Sequence, residues 1–186
     1  MGKITKILMA VMFTVLVVGS LANAQDDSFA YVGAKRCMPC HMSPAKGAQY
    51  KQWMGTKHAQ AYKTLGTDEA KQAAQKAGVS GNPQESAECL TCHVTGYDAP
   101  ANLKTDKYDQ TDGVWCESCH GPGSAYWKMN IMQGISQGKM DPAKYGLNVK
   151  PDAETCKTCH NEKSPTFKGF NWDEMYPKIA HPIPNK

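Results

Sequence analysis

The sequence predicts a mainly α-helical fold, with short helices and long loops, little or no β-structure, and a core that is not aliphatic. Three observations carry this. No stretch alternates apolar and polar residues as a half-buried strand does. Helix-start and helix-stop residues recur along the chain. Between residues 25 and 186 only 16 residues are Val, Ile, Leu or Phe, about a tenth of that span. A share below ~20% ordinarily marks a chain whose burial cannot offset its folding entropy. Simple disorder does not follow. The same span sets 19 Lys and Arg against 17 Asp and Glu, and it holds four Trp, eight Tyr and eight Cys. Its side chains must pack on something the chain itself does not encode.

The first 24 residues read as a secretory signal peptide: Lys3 and Lys6 form a basic start, Ile7 to Val18 is almost wholly apolar, and Ala22-Asn23-Ala24 is a small-x-small cleavage pattern. The apolar run of 12 residues falls short of the ~20 that cross a bilayer. No cysteine follows the cleavage point, which argues against a lipid anchor, and no second apolar run exists. The mature chain is expected to begin near Gln25, to form one domain over 25–186, and to have no integral membrane segment. Its destination is the periplasm or the exterior.

Local signals order the rest. Ser43 before Pro44 is a cap-and-start pair. From Pro44 to about Leu65 the residues Tyr50, Trp53, Met54, His58, Ala61, Tyr62 and Leu65 recur at near-helical spacing, interrupted at Gly55. Thr67, Asp68 and Glu69 start a second helix that Gly78 stops, and its Ala and Lys content makes it an outer one. Residues 81–86 are a turn and 97–113 a polar loop. Residues 124–138 are helical, with Met129, Met132 and Ile135 on one side. The tail after Pro165 reads as an irregular wrap.

The cysteines supply the missing core. They fall in four pentapeptides, Cys37-Met38-Pro39-Cys40-His41, Cys89-Leu90-Thr91-Cys92-His93, Cys116-Glu117-Ser118-Cys119-His120 and Cys156-Lys157-Thr158-Cys159-His160. Each is the c-type haem attachment motif. Two thiols three residues apart can add to the two vinyl groups along one porphyrin edge, and the next residue sets its imidazole under the iron. Zinc ribbons would use the same CxxC pairs, but export disfavours thiolate zinc and gives no reason for a histidine after every pair. Disulfides across three residues explain no histidine either. Four haem c groups, each a flat apolar plate, would let short helices pack on porphyrin. Motif spacings of 52, 27 and 40 residues do not repeat, which excludes a solenoid. Haem propionates would add eight negative charges. With no basic stripe in the sequence, nucleic acid is not an expected partner.

Ligand arithmetic is tight. Of six histidines, His41, His93, His120 and His160 are proximal ligands, leaving only His58 and His181. One chain can then complete at most two bis-histidine haems. The other two irons take methionine, a ligand from another subunit, or an open position. Met54, Met129 and Met132 sit at core-like positions, where filling gaps is their ordinary role.

The chain resembles the tetrahaem cytochrome c-554 family known from ammonia oxidisers, over most of the mature length. The resemblance rests on Trp53-Met54-Gly55-Thr56-Lys57-His58-Ala59 after the first motif and on Cys92-His93-Val94-Thr95-Gly96-Tyr97 at the second. It continues through the block from Gly113 to Gly123 around the third, and Trp172-Asp173-Glu174-Met175 ahead of His181. The family also includes subunits that polymerise into extracellular haem filaments. The resemblance implies a mostly helical fold with closely packed haem pairs. It implies His58 as distal ligand to the third-motif haem and His181 to the fourth. The second-motif haem is five-coordinate in the ammonia-oxidiser protein. The family places another distal histidine just after the third motif, for the first-motif haem. Here that stretch, Tyr126 to Met132, has none, and Met129 or Met132 is the candidate replacement.

The expected function is electron transfer between redox protein partners, with no catalytic residue. Two alternatives accompany it. A homo-oligomer or filament subunit would continue its haem chain through neighbours and could take a missing ligand from them. A nitrogen-oxide reductase would act at an open haem, but no catalytic acid or base lies near the second motif.

Overall fold

The computed structural model describes residues 29–181, so the expected signal peptide and the start near Gln25 lie outside the described residues. The architecture is mainly α, as the sequence predicts. The described helices, with 3₁₀ turns between several of them, are α1 (Met38–His41), α2 (Gln49–Met54), α3 (Ala61–Thr64), α4 (Asp68–Lys76), α5 (Ala87–His93), α6 (Cys116–His120), α7 (Met129–Ser136), α8 (Ala153–Lys157) and α9 (Trp172–Met175). The β-pairing among the described residues is an isolated parallel bridge between Tyr31 and Lys104. None of the described helices is long and apolar enough to cross a membrane.

The outer helix α4 forms as its cap residues dictate. The Thr67 hydroxyl accepts from Ala70 N at 3.2 Å, Asp68 and Glu69 occupy the first turn, and both features complement the free N–H groups and dipole there. Val79 N closes back on Ala74 O at 2.9 Å, with Gly78 at a φ of 75° that suits glycine. Ala74 is the one residue of α4 that is buried.

The stretch from Pro44 to Leu65 is not one helix with one interruption. Gly47 and Ala48 both adopt positive φ, and Ser43 O accepts from both Lys46 N and Ala48 N at 3.0 Å, which closes a turn before α2 begins. After α2, Trp53 Nε1 reaches across to Val114 O at 2.8 Å. Thr56 Oγ1 caps Trp53 O at 2.7 Å. α2 thus ends with Gly55 as its C-cap, at the interruption the sequence marks, and these bonds hold the break. The 124–138 segment is divided in the same way, with a 3₁₀ turn at Gly123–Ala125 ahead of α7. The tail is more ordered than an irregular wrap. Asn171 caps α9 by accepting from Asp173 N at 3.1 Å, and Trp172 stacks on Tyr176 with ring centroids 4.3 Å apart.

The buried core is small, six residues of which two are aromatic. Trp115, Tyr50, Leu65, Leu90, Val94 and Ala34 form it, and Cys37, Cys89 and Cys116 pack against it. Tyr108 meets Trp115 edge-on at 5.3 Å. The first three motifs therefore share one anchoring cluster, and each large apolar side chain in it contributes ~1.5–3 kcal/mol by leaving water.

Candidate functional site

Each motif begins on a helical turn. His41 N bonds to Cys37 O at 3.1 Å and His160 N to Cys156 O at 2.9 Å. The second and third motifs end helices α5 and α6 at His93 and His120. A helical turn puts residues i, i+3 and i+4 on one face, so both thiols and the imidazole of a motif point the same way. Asp152 starts α8 by accepting from Thr155 N at 3.0 Å. None of the eight cysteines forms a disulfide.

The imidazoles of three motifs are each held at Nδ1. His41 Nδ1 donates to Gln49 Oε1 at 3.1 Å, His93 Nδ1 to Ala61 O at 2.8 Å, and His120 Nδ1 to Asn148 O at 2.7 Å. Carbonyl oxygens only accept, so Nδ1 carries the hydrogen and Nε2 keeps its lone pair for a metal.

The spare histidines face two of these rings. His58 lies 5.9 Å from His160, centroid to centroid, at 74°, and His181 lies 5.7 Å from His120 at 44°. Two imidazole nitrogens each ~2 Å from one metal would put the ring centroids roughly 6 Å apart, so both pairs fit a six-coordinate iron. The ring neighbours are not the pairs the family resemblance implies: His58 lies beside His160 of the fourth motif and His181 beside His120 of the third, and Val114 N holds His58 O at 3.0 Å beside the core. Phe170 packs against His160 at 5.7 Å.

Burial, and secondarily the neighbouring His160, holds His58 below the ordinary histidine pKa. Burial does the same to His120, partly countered by its bond to Asn148 and reinforced by His181 and His41. Both are thus biased toward the neutral form, the form an imidazole must have to ligate a metal.

A cavity of about 250 Å³ lies among these groups, walled by Cys37, Cys116, His41, His58, His120, His181 and Met132. Met132 and Met129 part company here. Met129 is 64% exposed and forms none of this wall. Thiols of different motifs also approach one another. Cys37 is within hydrogen-bonding reach of Cys116, and Cys92 of Cys159. Cys119 likewise lies close to Cys156. The cysteine pairs therefore follow one another in the order first, third, fourth, second motif.

This donor set fits haem c: paired thiols, one imidazole per motif, and apolar space beside them. It does not fit a bare ion, since no three His, Cys, Asp or Glu side chains converge on one point among the described residues. Sequence reading missed the three carbonyl acceptors behind the proximal rings, which no local pattern marks, and the buried Glu117 inside the third motif.

Residues 36–121 match the family model described as "Cytochrome c554 and c-prime", a span that holds three of the four motifs and His58. The chain is 31% identical over 149 residues to cytochrome c-554 of Nitrosomonas europaea, which covers 75% of this chain and 61% of that relative. The chain thus spans about three fifths of the length of the curated relative it matches. No solved structure matches it.

Proposed function

The chain belongs to the cytochrome c554 and c-prime family, whose model covers residues 36–121, and on that premise we propose that it is an exported tetrahaem c-type cytochrome that carries electrons between redox protein partners. The facing rings of His58 with His160 and of His181 with His120 support this reading above all. Ligands far apart in sequence are held at the separation of an axial pair, which core packing does not require. When bound, haem iron takes up and releases one electron.

The chain's own residues do the rest. The cysteine pairs anchor each porphyrin edge, and Gln49, Ala61 and Asn148 hold three proximal rings in the ligating tautomer. The Trp115 cluster keeps water from the first and third attachment sites. Thiol contacts from motif to motif keep successive attachment edges close, which favours direct tunnelling through the chain. The carrier role needs no catalytic acid or base. Met132, in the wall that also holds His41, is the sixth ligand proposed for the first-motif haem. His93 has no facing imidazole among the described residues, which favours a five-coordinate second-motif haem or one closed by a neighbouring copy in an oligomer or filament. The signal-like first 24 residues support export to the periplasm or beyond.

A spectroelectrochemical titration of purified holoprotein tests the proposal. Reversible one-electron steps summing to four electrons per chain are expected. Fewer electrons, or reduction that cannot be reversed, would sink it.

A further inference from the structure

Glu117 is only 2% exposed, although it lies between the two cysteines of the third motif. Donors saturate its oxygens. Oε1 accepts from Val32 N at 2.9 Å and Gly123 N at 2.5 Å. Oε2 accepts from Gly33 N at 2.9 Å, from Trp115 Nε1 at 2.8 Å and more weakly from Val32 N at 3.2 Å. A protonated carboxyl would have to aim its hydrogen at one of these N–H groups. The side chain is therefore held as an anion by charge-assisted bonds.

No cation answers that charge. The ion pairs of the described residues, such as Lys35–Asp109 and Arg36–Asp106, are exposed, and none includes Glu117. The corresponding pairs in the other motifs, Met38-Pro39, Leu90-Thr91 and Lys157-Thr158, contain no acid. The field is one-sided. Glu117 adjoins Cys116 in sequence, and its charge also acts on the neighbouring Cys37 thiol. It stands at the attachment edges of the first and third motifs, far inside the surface where water would screen it.

We propose that Glu117 is a fixed buried anion that lowers the reduction potentials of the haems on the first and third motifs, and so biases electrons toward the fourth and second. Reduction adds one electron to one ferric iron. With Glu117 already ionised and fully bonded, no proton arrives there to offset it, so the nearby negative charge favours the ferric form. This rests on the tetrahaem reading above. Glu117 is a positioning residue, acting on the iron through the field and also tying Val32, Gly33 and Gly123 to the third motif.

The test is Glu117→Gln, which keeps the shape and removes the charge. Intact mass first establishes whether four haems are attached, which judges the tetrahaem reading separately. In a four-haem variant, two of the four potentials are expected to rise by at least ~59 mV, a tenfold change in each reduction equilibrium, and the other two by much less. Trp115→Phe removes one donor but leaves the charge, so no potential should rise in it. Unchanged potentials in Glu117→Gln, or an equal rise in Trp115→Phe, overturn the proposal. Should Glu117→Gln fail to mature, reduced-minus-oxidised infrared spectra of the natural holoprotein with ¹³C-labelled glutamate decide the matter. A carboxylate band displaced on reduction is expected. A protonated-carboxyl band, or no glutamate signal at all, contradicts the fixed charge.

Discussion

The imidazole of His58 stands edge-on to that of His160, with ring centroids 5.9 Å apart, so the segment leaving the first motif delivers its histidine to the fourth. Deleting the fourth haem by Cys156→Ala with Cys159→Ala should make a further His58→Gly change silent in the low-spin electron paramagnetic resonance signal. In the chain lacking the third haem, through Cys116→Ala with Cys119→Ala, His58→Gly should still convert one low-spin haem to high-spin. The reverse pattern would restore the pairing that the family resemblance implies.

Met132 and Met129, three apart on α7, are separated by exposure. Met132→Ala should abolish a near-infrared thioether-to-iron band of the oxidised protein and lower one haem potential, since a thioether raises potential relative to histidine. Met129→Ala should change neither. Loss of the band in Met129→Ala alone would reverse the assignment.

Backbone placement of His58 depends on Gly113. Its φ is 74°, and a Cβ built there would meet His58 O at 2.8 Å. Gly113→Ala should cost about 1–3 kcal/mol and, unlike a remote destabilising change, should weaken His58 ligation. Denaturant midpoints and the high-spin fraction, measured together, check both effects. A fully low-spin fourth haem in a destabilised Gly113→Ala protein would separate the glycine from the ligand.

Asp112 bears one buried carboxylate oxygen with no hydrogen-bond partner, and burial raises its pKa above the ordinary aspartate value, with Lys35 partly opposing. The sign follows directly. A folded-state pKa above the unfolded one means the native state binds the extra proton. Its stabilising contribution is therefore present below the ordinary value near 3.8 and is lost as pH rises through the folded value. Asp112→Asn should stabilise the holoprotein at pH 7 by about 1 kcal/mol, and the gain should shrink as the pH falls toward 4. Urea midpoints across that range measure it. A gain independent of pH would point to packing instead of charge.

What the sequence made legible follows the range of the interactions. The four attachment motifs are five-residue units whose chemistry is local, and α4 announces itself through Thr67, Asp68, Glu69 and Gly78. The scarcity of aliphatic residues foretold a core as small as the Trp115 cluster. In the 44–65 segment the break at Gly55 was legible, whereas the turn at Gly47 and Ala48 and the reach of Trp53 to Val114 O are not encoded by periodicity. The partners of His58 and His181 depend in the same way on where Val114 and the tail come to rest. Glu117 was invisible for another reason: an acid within CxxC ordinarily faces water, and its donors come from residues 32, 33, 115 and 123.

Four haems held by eight cysteines are the core of the proposed carrier, and the intact mass of the purified holoprotein under denaturing conditions tests that most directly. The expected mass exceeds that of the mature polypeptide by four haem groups, with no thiol left to alkylate and each of the four CxxCH peptides carrying one haem after digestion. Three or fewer haems on fully matured protein, or an alkylatable pair at any of the four motifs, would contradict it.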